Sequence, residues 1–264
     1  AGSYIHISGT QHTEAVSSMP DWLAQMLHSL ILTGQCTDIT LELNDSLMTQ
    51  VLDSGTVSTS SDFVLAGTCT TSFQTSGANR SNNIVVGASR LNNLIVLPGQ
   101  TVSVSDTILP RTRANGYKEA GVYVNGAHTS GLGGGVCQIS STVYNAVKNA
   151  GLTVVQRNPH SMPVSYLPKG LDAAIAAGSK DLKFRNDYTT PVVLYTDTSN
   201  KHLTVNVLVW NQELAGRSFK LWAKQTGALS ADTYFTTYLN GKEISTQFVG
   251  TSRYNPYREA VNDD

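Results

Sequence analysis

Three stretches of the chain carry apolar residues at helical spacing. The period of three to four residues predicts amphipathic helices over residues 19–34 ("MPDWLAQMLHSLILTG"), 81–95 and 138–150. Gly34 is the last residue of the first stretch and Gly151 follows the third, and a glycine just after the last apolar position is typical of a helix end.

Most other apolar residues alternate with polar ones, which is the pattern of a half-buried strand. The first such run is "DITLELN" at 38–44, and another follows a Pro98-Gly99 turn. Asn125-Gly126 and Asn240-Gly241 predict hairpin turns. Beyond Gly170 the alternating runs are "DLKFRND", "PVVLYTDT", "HLTVNVLVW", "SFKLWAKQT" and "TYFTTYLNGKEISTQFVG". The pattern predicts an α+β fold: a β-rich domain with one helix that carries a Gly-rich/Cys turn at its N-terminus, plus a short α/β N-terminal segment.

Composition narrows the classes of protein. The chain has 264 residues, 40% hydrophobic and 14% charged, which suits one large or two modest domains. Its net charge is -1 and its basic residues do not cluster, so we expect no nucleic-acid partner. No apolar run approaches the ~20 residues of a membrane span, and the opening "AGSYIHISGT" has no signal-peptide form. We expect any membrane anchor outside this sequence, and the abundance of serine and threonine favours an extracytoplasmic protein.

The stretch "GLGGGVCQISSTVYN" (131–145) carries the strongest chemical signal. Cys36, Cys69 and Cys137 make an odd number, so at least one thiol is free, and Cys137 is the candidate. Cys137 begins the predicted helix over 138–150, where the helix dipole and free N–H groups favour a reactive thiolate. The preceding glycines are interpreted as making room for an acyl group and directing N–H groups at an oxyanion. The alternative is a tight strand-to-helix turn that uses glycine for its dihedral angles.

A thiolate nucleophile usually needs a base, and chain lengths point to His160. The predicted helix rises roughly 20 Å at ~1.5 Å per residue, and the extended "LTVVQRN" returns roughly 23 Å at ~3.3 Å per residue. His160 therefore returns level with Cys137, on a loop flanked by Pro159 and Pro163. His128, close in sequence to the glycines, is the second candidate for the base.

The stretch from about Thr70 to Trp210 resembles a VanW domain. The matching segments are "TTSF" (70–73), "ANRSNNI" (78–84), "LPGQTVSVSD" (97–106), "PRTRANGYKEAGVYVNG" (110–126), "GLGGGVCQISSTVYNAVKNAGL" (131–152), "RNPHSMPVSYLPKGLDAAI" (157–175) and "DLKFRND" (181–187). The resemblance implies a truncated wall-associated region at 1–64, a VanW catalytic domain at 65–215 and a β-rich extension at 216–264 packed on it.

The resemblance further implies a cell-envelope protein of Gram-positive type with L,D-transpeptidase activity. Cys137 would attack a donor stem peptide, and an acceptor stem would resolve the acyl-enzyme into a 3-3 cross-link of peptidoglycan. The catalytic set is then Cys137, His160, Gly135 and Val136, and the substrate-binding set is Arg80, Gly133, Gly134, Ser161 and Tyr166.

Two alternatives remain open at this point. In the first alternative to the transpeptidase, the domain is a peptidoglycan-binding or scaffold module in which Cys137 is only a packed residue. In the second, it is a cysteine peptidase or L,D-carboxypeptidase. The cysteines and histidines lack ligand spacing, and "GLGGGV" lacks the lysine of a phosphate-binding loop, so we expect neither metal nor cofactor.

Overall fold

The computed structural model describes residues 3–8, 38–43, 63–124 and 127–256. The predicted helix over 19–34 and Cys36 lie outside these residues. The predicted strand in "DITLELN" is confirmed as Asp38–Leu43, which pairs antiparallel with Ser3–Ser8. The domain boundaries at 64/65 and 215/216 stay predictions.

Within the described residues, fourteen strands and four α-helices are numbered in chain order. The strands are β1 (Ser3–Ser8), β2 (Asp38–Leu43), β3 (Phe63–Ser72), β4 (Leu94–Val96), β5 (Thr101–Ser103), β6 (Glu119–Val124), β7 (Ala127–Leu132), β8 (Thr153–Gln156), β9 (Lys183–Arg185), β10 (Val192–Asp197), β11 (His202–Trp210), β12 (Arg217–Gly227), β13 (Ser230–Leu239) and β14 (Lys242–Arg253). The helices are α1 (Ala78–Ser89), α2 (Val104–Thr107), α3 (Val136–Asn149) and α4 (Asn211–Leu214). This architecture confirms the prediction of a β-rich α+β fold, and the α/β character of the N-terminal segment stays a prediction.

The central sheet is antiparallel, with strand order β3–β11–β10–β4. Every second residue of β11 is fully buried, as the alternating sequence predicts: Leu203, Val205, Val207 and Val209. Helix α3 packs across β3 and β11 with its apolar face in the core. Gly67 permits this close approach, because a Cβ there would lie 2.3 Å from the carbonyl oxygen of Ala146.

The predicted helix over 81–95 is partly wrong. Helix α1 starts three residues earlier and ends at Ser89. Asn93 has a left-handed backbone with φ of 58°, which turns the chain. Residues 94–96 then form β4 and pair with β10, so pairing in the central sheet overrides the helical spacing of the apolar residues.

Two smaller β units lie beside the central sheet. Strands β5, β9 and β8 form a three-stranded antiparallel sheet. The run after the Pro98-Gly99 turn is only three strand residues long, because Ser103 caps α2 by accepting from the Asp106 N–H at 3.0 Å. The hairpin predicted at Asn125-Gly126 is confirmed by the β6–β7 pairing, although residues 125 and 126 are not described.

The C-terminal sheet has strand order β12–β13–β14. The predicted Asn240-Gly241 hairpin is confirmed: both residues have positive φ, 48° and 79°, as a tight hairpin turn requires. Leu221 and Phe235 attach one face of this sheet to the core beside α3, where Lys148 lies over the Phe235 ring at 3.7 Å. In the described part of the chain, no helix is long and apolar enough to cross a membrane.

Candidate active site

The turn from β7 into α3 consists of three consecutive glycines, and the backbone requires each of them. Gly133 and Gly135 have φ of 82° and 110°, which disfavours residues with a side chain. Gly135 is also the N-cap of α3. A Cβ at Gly134 would lie 2.6 Å from the carbonyl oxygen of Gly121 in β6.

The fold itself fills the space that these glycines leave. A Cβ at Gly133 would meet Arg111 at 3.0 Å, and one at Gly135 would meet Arg80 at 3.0 Å. The Gly133 N–H donates to the Lys118 carbonyl at 3.1 Å, so it does not serve an oxyanion. The tight strand-to-helix turn therefore accounts for the glycines, and their role in accommodating an acyl group or an oxyanion stays a prediction.

Cys137 is the second residue of α3 and carries a half-buried free thiol. Its backbone N–H lies in the first helical turn, where no intrahelical acceptor exists, and no backbone carbonyl among the described residues accepts from it. The thiol lies 3.3 Å from the Ile175 carbonyl oxygen, and the His160 ring lies within hydrogen-bonding reach of the sulfur. The structure thus brings the two residues of the predicted catalytic pair together.

An extended segment, residues 171–175, runs along α3 towards its N-terminus. Asn145 donates to the first carbonyl of the segment at 2.7 Å, and the Ser141 hydroxyl lies 2.9 Å from the N–H and 3.2 Å from the carbonyl oxygen of Ala173. One helical turn earlier, the Cys137 thiol makes the corresponding contact with the Ile175 carbonyl oxygen. Residues four apart share a helix face, so this polar face fixes the segment beside the thiol.

Asp172 lies in this segment and orients His160. One oxygen of its buried carboxylate accepts from the His160 backbone N–H at 2.6 Å and lies 2.7 Å from Nδ1 of the ring. Because Nδ1 faces Asp172, Nε2 is the ring nitrogen left for Cys137. The result is a thiol, an imidazole and a buried carboxylate in sequence, the arrangement of a nucleophile with a base and an orienting group.

The other oxygen of Asp172 binds two further donors. The Tyr254 hydroxyl donates to Oδ1 at 2.5 Å, and Arg157 donates to the same atom at 3.3 Å. Arg157 also reaches the Ser252 hydroxyl at 3.2 Å. Tyr254 directly follows β14, so the C-terminal sheet completes the hydrogen bonds of the buried carboxylate.

These contacts shift the pKa values of all three groups. Burial opposes the charge on Asp172, but hydrogen bonds from His160 and Tyr254 and the charge of Arg157 lower its pKa to about 2. Burial likewise opposes a charged His160, but Asp172 and Cys137 raise its pKa to about 9. Burial raises the pKa of the Cys137 thiol, and His160, the Ile175 carbonyl and Arg111 outweigh it, so the pKa falls below its ordinary value. The environment favours a thiolate–imidazolium pair.

Arg80, expected to bind substrate, is engaged by the protein. Its two terminal nitrogens donate to Ser76 Oγ at 2.5 Å and to Gln138 Oε1 at 2.9 Å. The buried Gln138 in turn donates to the Thr71 hydroxyl at 2.9 Å and to the Ser72 carbonyl at 3.0 Å. This network joins α1, α3 and β3 beside the thiol.

The remaining predicted site residues lie at different distances from Cys137. Tyr166 is near the thiol: its hydroxyl lies 3.4 Å from Ser141 Oγ, and burial and the charge of Cys137 raise its pKa. Ser161 is exposed and accepts from the Asn255 N–H through its carbonyl at 2.7 Å. The side chain of His128 lies outside the described residues. Val136 precedes Cys137, and its N–H lies 3.4 Å from the Gly133 carbonyl.

Sequence reasoning missed Asp172, Arg157 and Tyr254. Asp172 and Arg157 lie inside the segment 157–175 that carries the family resemblance, whereas no pattern in the sequence singles out Tyr254. Where the structure describes the chain, no three histidine, cysteine, aspartate or glutamate side chains cluster as they would around a metal ion.

Comparison with known proteins defines the class. Residues 79–208 match the family described as VanW like protein, a range that includes the thiol, the imidazole and the carboxylate of the site. This region of the chain is therefore a VanW-like domain, as the sequence motifs predicted.

Two curated relatives share this region. The chain is 42% identical over 128 residues to "Uncharacterized protein YoaR" of Bacillus subtilis (strain 168), an alignment that covers 48% of this chain and 42% of that protein. It is 35% identical over 114 residues to "Vancomycin B-type resistance protein VanW" of Enterococcus faecalis (strain ATCC 700802 / V583), which covers 41% of this chain and 42% of the relative. The chain thus spans less than half the length of either relative. No solved structure matches it.

Proposed function

We propose that this protein is a peptidoglycan L,D-transpeptidase that forms 3-3 cross-links through an acyl-enzyme on Cys137. The observation that carries the proposal is the continuous arrangement of Cys137, His160 and Asp172 at the start of α3. A thiol kept only for packing needs neither an imidazole at its sulfur nor a buried carboxylate behind that imidazole.

In the acylation step the Cys137 thiolate attacks the carbonyl carbon of the third residue of a donor stem. The negative charge that develops on the carbonyl oxygen is stabilised by the Cys137 N–H and the positive end of the α3 dipole. The C–N bond then breaks, and protonated His160 gives its proton to the departing amine of the terminal D-residue. The product is a thioester between the donor and Cys137.

In the second step the side-chain amine of an acceptor stem attacks the thioester. His160 removes a proton from this amine, the C–S bond breaks, and the new amide joins the two stems. Asp172 keeps Nδ1 of the ring as a donor throughout, so that Nε2 exchanges the proton. Water in place of the amine would give L,D-carboxypeptidase activity on the same residues.

The family gives the proposal its setting. One relative is named as a vancomycin B-type resistance protein, and the proposal assigns this chain a substrate in the cell wall. A peptidoglycan substrate would place the protein on the extracytoplasmic side of the cell envelope, with stem peptides as donor and acceptor.

The test incubates the protein with purified disaccharide-tetrapeptides and follows the products by mass spectrometry. We expect dimers joined through a 3-3 linkage with the native protein and none with Cys137→Ala. Cys69→Ala is the matched control, because it removes the other described free thiol and should keep turnover. Loss of the terminal residue without dimers would favour the carboxypeptidase, and no change in any peptide would favour the binding module.

A further inference from the structure

Arg111 lies against the glycine turn before Cys137, and among the described residues its charged group has no partner. Of the three arginines around the site, Arg80 and Arg157 each donate to several protein acceptors. Among the residues that the structure describes, Arg111 has neither a hydrogen-bond acceptor nor a carboxylate partner, although it is half-buried. A guanidinium without a protein acceptor is available to bind an anionic ligand, and its planar fork of N–H groups suits a carboxylate.

The Arg111 side chain packs on the glycine turn that leads into Cys137. Its aliphatic stem lies against Gly133, where a Cβ would come within 3.0 Å of Cδ and 3.6 Å of Cγ. Gly133 is four residues before the nucleophile and accepts the N–H of the first α3 residue through its carbonyl. The stem is therefore packed on the turn that starts the helix, and the charge on Arg111 lowers the pKa of the Cys137 thiol.

We infer that Arg111 binds a carboxylate of the donor substrate, on the leaving residue directly beyond the bond that Cys137 attacks. This inference rests on the proposed function and deepens it, since it makes donors with a free terminal carboxylate the preferred class. A guanidinium presents paired N–H groups that match a carboxylate, and a lysine at this position would provide only a point charge. Arg80, by contrast, donates its hydrogen bonds to Ser76 and Gln138, so we do not assign the substrate carboxylate to it.

The first experiment compares two synthetic stem tetrapeptides that end in D-alanine, one with a free carboxylate and one with a primary amide. A charge-assisted hydrogen bond predicts that native protein prefers the free acid by roughly 10–100-fold in kcat/KM. Arg111→Gln should reduce this ratio to about 1, and Arg111→Lys should keep part of it. Equal turnover of acid and amide by the native protein would overturn the inference and leave the transpeptidase proposal standing.

Arg113→Gln is the matched control. Arg113 lies two residues away in the same loop, is 77% exposed and pairs with Glu119. Its substitution changes the net charge of the protein by the same amount, so it should leave the acid-to-amide ratio unchanged. A ratio that falls equally in both variants would show a general effect of charge and would contradict a carboxylate site at Arg111.

The second experiment does not depend on turnover. It measures alkylation of Cys137 by iodoacetate and by iodoacetamide, with the modified peptide identified by mass spectrometry. Arg111→Gln should lower the iodoacetate rate by about 10-fold more than the iodoacetamide rate, because only iodoacetate carries the carboxylate. An unchanged ratio of the two rates would overturn the inference. If this ratio falls while neither tetrapeptide is turned over, the carboxylate site stands and the transpeptidase proposal fails.

Discussion

Cys69 and Cys137 are free, half-buried thiols that border the same hydrophobic core, yet their chemistry differs. Cys69 lies in β3 opposite Val205 of β11, and burial raises its pKa to about 12. Cys137 starts α3, where His160 and Arg111 help to outweigh burial and lower the pKa of the thiol. Exposure does not separate the two cysteines, so the polar groups around each sulfur decide which one ionises.

The largest effect that we expect is a difference in alkylation rate between these two thiols. At pH 7 a thiol with a pKa of about 12 is only about 10⁻⁵ ionised. Cys137 should therefore react with iodoacetamide at least about 10³-fold faster than Cys69 in the folded protein, as measured by time-resolved peptide mapping. In urea the two rates should converge. Similar alkylation rates of Cys69 and Cys137 in the folded state would show that their surroundings do not make the two thiols differ in reactivity.

The position of Cys137 could be predicted because its signal is local. Consecutive glycines, a cysteine and a helical period indicate a strand-to-helix turn within twenty residues of sequence. Pairing with His160 required only the lengths of one helix and one return segment. The packing around the glycines could not be predicted, because Arg80 and Arg111, which lie beside Gly135 and Gly133, come from distant parts of the chain.

The residues that support His160 could not be predicted either, because distant parts of the chain bring them together. Asp172 precedes an alanine run and looks like an ordinary loop residue, and its burial depends on the polar face of α3. Tyr254 reaches the carboxylate only because β12, β13 and β14 attach to the core beside that helix. Alternation predicted those strands but not where their sheet would pack.

His160→Gln removes the group that most distinguishes the two thiols and should have the next largest effect. Acylation of stem peptides should fall by roughly 10²–10⁴, because the base is lost. Alkylation of Cys137 should slow less, since the start of α3 still stabilises part of the thiolate. Stopped-flow acylation and peptide mapping measure the two rates.

His202→Gln is the control for this prediction, because His202 is half-buried at the start of β11 and contacts the Asn200 carbonyl at 2.9 Å. It should leave both rates unchanged. Full turnover by His160→Gln would refute the Cys-His mechanism and would move the role of base to another group, with His128 the first to test.

Tyr254→Phe tests the comparison of the two thiols through Asp172, whose carboxylate accepts hydrogen bonds from both Tyr254 and His160. Asp172 loses its shortest hydrogen bond, so its charge is stabilised less and its support for a protonated His160 weakens. Acylation should fall about 10-fold, and the pH profile of Cys137 alkylation should move to higher pH. Tyr238→Phe on β13 is the control. An unchanged profile in a folded Tyr254→Phe variant would make Tyr254 a packing residue only.

The smallest expected effect concerns acid stability. The pKa of Asp172 is lowered from 3.8 to about 2 in the folded protein, so its contribution to stability is present above pH 3.8 and is lost as the pH falls through 2. Between pH 5 and pH 3, where His160 is protonated in both the folded and the unfolded state, this loss amounts to about 1 kcal/mol of unfolding free energy. Urea unfolding at the two pH values should therefore differ by about 1 kcal/mol less in Asp172→Asn than in the native protein.

Asp187→Asn provides the matched control for acid stability. Its carboxylate pairs with Arg185 and also has a lowered pKa, but both side chains are more than 40% exposed, so solvent screens the pair. The pH dependence of this variant should stay close to that of the native protein. If Asp172→Asn keeps the native difference between pH 5 and pH 3, Asp172 is not the charged partner of His160. The contrast between the two thiols would then rest on His160, the Ile175 carbonyl, Arg111 and the helix start, without support from Asp172.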